Sequence, residues 1–71
     1  MSGDRGRADA LVAAGVRVED PASTLVGQDV VVEPEAVLRP FTILEGRTTV
    51  RARAEVGPFV RLVDVEVGPG V

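Results

Sequence analysis

The sequence contains no histidine, lysine, tyrosine, tryptophan or cysteine. General bases and activated nucleophiles near neutral pH come mostly from those side chains and from carboxylates, so only carboxylates remain and self-contained catalysis is not expected. Without cysteine there is no disulfide framework, no thiolate metal site and no indication of redox compartment. No apolar run approaches the roughly 20 residues that span a bilayer, and the N-terminus lacks the apolar core of a signal peptide. A cytoplasmic chain with no membrane partner is the default expectation. All eight basic residues are arginine, but they are outnumbered by eleven acids and alternate with them, so no basic stripe is offered to nucleic acid.

What is present is a chain of 71 residues, 45% hydrophobic, with a net charge of −3. That composition belongs to folded chains and not to weakly hydrophobic, highly charged disordered ones. A single core of this size needs a further staple, and a partner chain or a missing remainder is expected to supply it.

From Val26 every sixth residue is a branched aliphatic: Val26, Val32, Leu38, Leu44, Val50, Val56 and Leu62. Four residues after each of the first six comes a second small or apolar residue, namely Val30, Ala36, Thr42, Thr48, Ala54 and Val60. Between them stand Gln28, Pro34, Pro40, Gly46, Ala52 and Pro58, rich in turn formers. The ten charged residues from Asp29 to Arg61 all have odd numbers, which leaves the even face dry, as in an extended chain with period two. A helix would scatter six-spaced residues around its surface, and the prolines exclude one long flat strand. The chain is expected to turn a corner every six residues.

Three such sides close a coil of 18 residues. Stacking at that spacing lays Asp29 over Arg47, Glu33 over Arg51, Glu35 over Arg53, Pro40-Phe41 over Pro58-Phe59 and Leu25 over Ile43. Cross-strand pairs of this kind contribute roughly 0.2–1 kcal/mol each. After Leu62 the next inward aliphatic, Val67, comes five residues on, and Asp64 and Glu66 move to even numbers, as a one-residue deletion at a corner requires. Residues 25–71 are thus expected to form an all-β, single-stranded parallel β-helix of about 2.5 coils. Residues 1–7 are read as a disordered N-terminus. Residues 8–24 are read as a short helix over Ala8 to Ala14 with Gly15 as its stop, then a brief strand at Val16 and Val18, and a turn at Asp20 to Thr24. Seven residues do not hold a helix alone in water, so it should pack on the lower end of the coil stack.

Hexapeptide repeats of this form resemble those of left-handed β-helix proteins, many of them acyltransferases, and the left hand is implied by that resemblance. The lead-in Gly15 to Thr24, GVRVEDPAST, and the stretch VRLVDVEVGPGV are similar to the early coils of bifunctional N-acetylglucosamine-1-phosphate uridyltransferase/glucosamine-1-phosphate acetyltransferase, over about residues 8–71. The resemblance implies a homotrimer, synthesis of UDP-N-acetylglucosamine for the cell envelope, and use of acetyl-CoA, UTP and magnesium by the remainder of the enzyme. It transfers no catalytic, cofactor-binding or metal residue to this segment, because the nucleotide loop lies in an upstream domain and the His, Lys and Tyr of the acetyltransferase site lie in later coils.

Each remaining candidate has an ordinary structural reading beside the functional one. Arg61, in Gly57 to Leu62, resembles the start of a substrate-binding coil, but Val63-Asp64 follow where a second arginine and Pro-Gly should; a solvated rung residue is the expectation. Phe41 and Phe59 point outward, as an intersubunit contact or as plain rung-to-rung stacking. Glu33, Glu35 and Glu45 are read as partners of arginines and not as a carboxylate dyad or cation site. Gly68-Pro69-Gly70 is read as a corner and not as a phosphate cradle. The functional expectation is a structural, trimerising segment of the bifunctional enzyme. The alternatives are an independent oligomerisation module, which should carry polar caps at both ends where this chain stops at the inward Val71, and the β-helical tail of another sugar-phosphate nucleotidyltransferase.

Overall fold

The computed structural model describes residues 3–71, with side chains from Ala8 onward. A helix, α1 (Gly3–Ala13), is followed by strands β1 (Arg17–Val18), β2 (Leu25–Val26), β3 (Val31–Val32), β4 (Val37–Leu38), β5 (Thr42–Glu45), β6 (Thr49–Val50), β7 (Glu55–Val56), β8 (Val60–Val63) and β9 (Glu66–Val67). The strands form three parallel sheets, β1-β4-β7, β2-β5-β8 and β3-β6-β9, so consecutive strands lie on successive sides of a triangular coil. This is the expected left-handed parallel β-helix.

Leu25 pairs with Ile43, Val31 with Thr49 and Val37 with Glu55, each at the expected spacing of 18. The deletion in the last coil is also in place: Thr49 pairs with Glu66 and Val50 with Val67. The lead-in is longer, since Arg17 pairs with Val37, and a 3-10 turn at Pro21–Ser23 takes up the two additional residues. Asp20 caps that turn, accepting from the Ala22 amide at 3.3 Å and the Ser23 hydroxyl at 3.0 Å.

The six-spaced aliphatics from Val26 to Val56 are buried, and Val30, Ala36 and Ala54 join them in one core. Leu62 and Val60, in the uppermost coil, are half-buried. Thr24, Thr42 and Thr48 are fully buried because their hydroxyls are used: they donate to the carbonyls of Asp20, Arg39 and Glu45 at 2.9, 2.7 and 2.7 Å. A threonine therefore fills an inward corner position without an orphaned polar atom.

α1 starts earlier than the sequence reading placed it, and residues 3–7, expected to be disordered, are its first turns; residues 1–2 of that expectation lie outside the described residues. Ala8 and Leu11 are buried and α1 lies against β1, β2 and the 3-10 turn. Docking there overcomes the cost of nucleation, after which each further residue adds one backbone hydrogen bond, so the helix extends through Gly3–Arg7 despite the low helix propensity of its two glycines. The helix ends at Ala13, one residue before the Ala14 of the expectation. The Val16 amide bonds to the Leu11 carbonyl at 3.0 Å and the Gly15 amide to that of Val12 at 3.1 Å, with Gly15 at φ 98°, a Schellman cap whose apolar contact joins Leu11 and Val16 in the core.

Candidate functional site

The most distinctive surface is a corner beside the sheet β2-β5-β8. Pro40 and Pro58 enter two stacked corners, and Phe41 and Phe59 follow at φ 59° and 60°. Left-handed backbone directs both rings outward, where they stack with centroids 5.1 Å apart and planes 5° from parallel. They remain 54% and 76% exposed. The corner is rigidly bonded: the Phe41 amide donates to Ser23 Oγ at 3.0 Å, and the Phe59 and Val60 amides donate to the Pro40 and Phe41 carbonyls at 3.3 Å each. Gly57 has to lack a Cβ, because one would run into Thr42 Oγ1. Next to this corner the outer row of the sheet carries Leu25, Ile43 and Arg61 on successive rungs, and Val63 stands over Glu45. Leu25 and Val63 are exposed.

The charged residues form ladders. Arg51 joins Glu33 at 2.9 Å to Glu66 at 3.0 Å, and Arg39 joins Glu19 at 3.2 Å to Glu55 at 2.8 Å. Arg61 grips Glu45 through Nε at 3.0 Å and a terminal nitrogen at 2.8 Å. The hydrogen bond from Arg51, seconded by the Ala52 amide on Glu33 Oε1 at 2.8 Å, holds the Glu33 carboxyl below its ordinary range. Arg39 and Arg51 are pushed further above the ordinary arginine value, chiefly by their hydrogen bonds to Glu55 and Glu33 respectively.

Of the three charge pairs expected at a spacing of 18, Glu33 with Arg51 forms; Asp29 with Arg47 and Glu35 with Arg53 make no ion pair among the described residues. The latter residues occupy corners, where side chains splay apart instead of running up a flat sheet. Of the pairs that sequence reasoning missed, Glu45 with Arg61 and Arg39 with Glu55 are 16 apart, which is one rung less one alternation, while Glu19 with Arg39 and Arg51 with Glu66 lie beside the longer lead-in and the shortened last coil. The signal of the first two was present, since diagonal neighbours two residues off register remain within reach of long side chains. Gly68 to Val71 forms a corner in which the Gly70 and Val71 amides already bond to the carbonyls of Ala52 and Gly68.

Comparison with known proteins matches this β-helix directly. No family model matches the chain. Over 56 residues it is 50% identical to the bifunctional protein GlmU of Desulfitobacterium hafniense, a match covering 79% of the chain. The chain is similar to a segment of GlmU. The GlmU of Mycolicibacterium vanbaalenii is 51% identical over 57 residues, or 80% of the chain, and that of Thermobifida fusca 53% identical over 58 residues, or 82%. Each match covers only 12% of the GlmU relative, so the chain spans about an eighth of the proteins it resembles. Among the described residues no helix is long and apolar enough to cross a membrane.

Proposed function

We propose that this chain is a structural and trimerising β-helix segment of a GlmU-type enzyme, one that transfers acetyl groups to glucosamine-1-phosphate and uridylyl groups to N-acetylglucosamine-1-phosphate in the cytoplasm, toward UDP-N-acetylglucosamine for the cell envelope. The observation that carries the reading is the exposed, stacked Phe41–Phe59 pair in a coil stack matched to GlmU at about half identity. Two phenylalanines held in left-handed backbone, at a cost of roughly 1–2 kcal/mol each, with Leu25 and Val63 exposed on the adjoining sheet, suit an apolar face that a second and third copy cover. Its partners are two further copies and the remainder of the enzyme.

The chain's own donors do not fit the cofactors of that chemistry. Acetyl-CoA, UTP and magnesium need gathered phosphate-binding cations or a cluster of acids, whereas Arg39, Arg51 and Arg61 are committed to carboxylates, Arg17, Arg47 and Arg53 lie on separate strands and corners, and no group of three or more acids among the described residues could hold a metal ion. The residues therefore supply shape and rigidity, and the chemistry belongs to other parts of the enzyme.

The test is a transplant: this chain replaces the matching coils of the Thermobifida fusca GlmU. Retention of both transferase activities is expected, together with no turnover by the 71-residue chain alone. A folded chimera that had lost both activities, or acetyl transfer by the isolated chain, would contradict the proposal.

A further inference from the structure

The third coil is one residue short, and one side chain sits where the backbone is missing. Between Glu45 and Thr49 the lower corner has three residues, 46 to 48, whereas between Val63 and Glu66 the corner above it has two. Asp64, at φ 56°, fills the gap. Its amide donates to the Glu45 carbonyl at 3.3 Å, as the 18-residue register requires, and its Oδ1 accepts from the Arg47 amide at 2.8 Å. The Val65 amide reaches Thr48 Oγ1 at 3.5 Å. Position 46 is glycine for the same reason, since a Cβ there would run into the Asp64 carboxylate.

We propose that Asp64, seated over Gly46, is a register clamp: its carboxylate ties the shortened corner to the Arg47 amide of the corner below and locks β9 at 17-residue spacing. The consequence is a change of phase. With the clamp, Val67 faces the core over Val50 and Glu66 faces outward, bonded to Arg51 at 3.0 Å. A slip to 18-residue spacing would place Val67 over Thr49 and Gly68 over Val50, exposing the valine and leaving the core without a cover, because a one-residue shift reverses every side chain of a strand.

Hydrogen exchange of backbone amides in the 71-residue chain tests this. In Asp64→Ala the Arg47 amide, which loses its acceptor, and the Arg51 amide, which bonds to the Val67 carbonyl, should exchange faster by about tenfold or more, as expected on losing a hydrogen bond to a charged acceptor. The Glu33 amide, bonded to Val50 one coil below, should change little, and Asp64→Asn, which keeps the acceptor oxygen, should stay near the parent. A glycine inserted after residue 64 of Asp64→Ala restores a three-residue corner and should restore protection at Arg51. Unchanged Arg51 exchange in Asp64→Ala would overturn the clamp. If Asp64→Ala unfolds outright, recovery on insertion supports it, and failure to recover overturns it.

Discussion

Among the described residues five other than glycine carry positive φ: Glu35, Phe41, Arg53, Phe59 and Asp64. Left-handed backbone costs an L-residue roughly 1–2 kcal/mol, and glycine returns part of that gain through its greater freedom in the unfolded chain, by about 0.5–1 kcal/mol. For Phe41, Phe59 and Asp64 a contact offsets the strain, through ring stacking or the Arg47 amide. Glu35 and Arg53 have no ion pair among the described residues that a substitution would remove. Glu35→Gly and Arg53→Gly should therefore each stabilise the fold by about 0.5 kcal/mol, measured as an increase in the midpoint of urea unfolding. Glu33 makes the opposite case. Its carboxyl is held below its ordinary 4.5 by Arg51 and the Ala52 amide, so its contribution is present above that ordinary value and is lost as pH falls through the lowered one. In Glu33→Gln the deficit in unfolding midpoint should be full near neutral pH and shrink to nothing in acid.

Corners and caps govern the elements. Leu44 is fully buried at the centre of the stack, paired with Val26 below and Leu62 above, so Leu44→Ala should cost about 2–5 kcal/mol. Gly15→Ala should cost about 1–2 kcal/mol despite ordinary contact at the nearest atom, Pro34 Cβ at 3.6 Å, because the φ of 98° and not crowding is the obstacle. Both are measured by chemical unfolding. The coil period was legible in the sequence because burial recurs every sixth residue and charge keeps to one parity, and even the deletion after Leu62 declared itself through Asp64 and Glu66. The helix start was not legible, because residues 3–7 are ordered by docking of Ala8 and Leu11 further along the chain. Left-handed corners at Glu35 and Arg53 were hidden because nothing in those side chains signals positive φ; the coil geometry imposes it. Of the candidate site, the Phe41–Phe59 stack was legible from the 18-residue register, whereas the ion pairs 16 apart required the diagonal contact between rungs.

For the whole molecule, the proposed role is that of a rigid segment whose exposed apolar corner further copies of the chain would cover. Leu25, Phe41, Phe59 and Val63 stand exposed on that face, and trimer formation would cover them. Replacing Phe59, the more exposed ring, by aspartate should break that assembly and leave the coil intact, since the ring lies outside the core and the residue's backbone bond to Pro40 is kept. Sedimentation equilibrium on the chain and on Phe59→Asp reads this directly. The expected result is a mass three times that of the 7.4 kDa chain for the parent and a folded single-chain mass for the variant. A parent that stays at 7.4 kDa at concentrations up to about 1 mM, where each association step would be worth less than about 4 kcal/mol, would contradict the account.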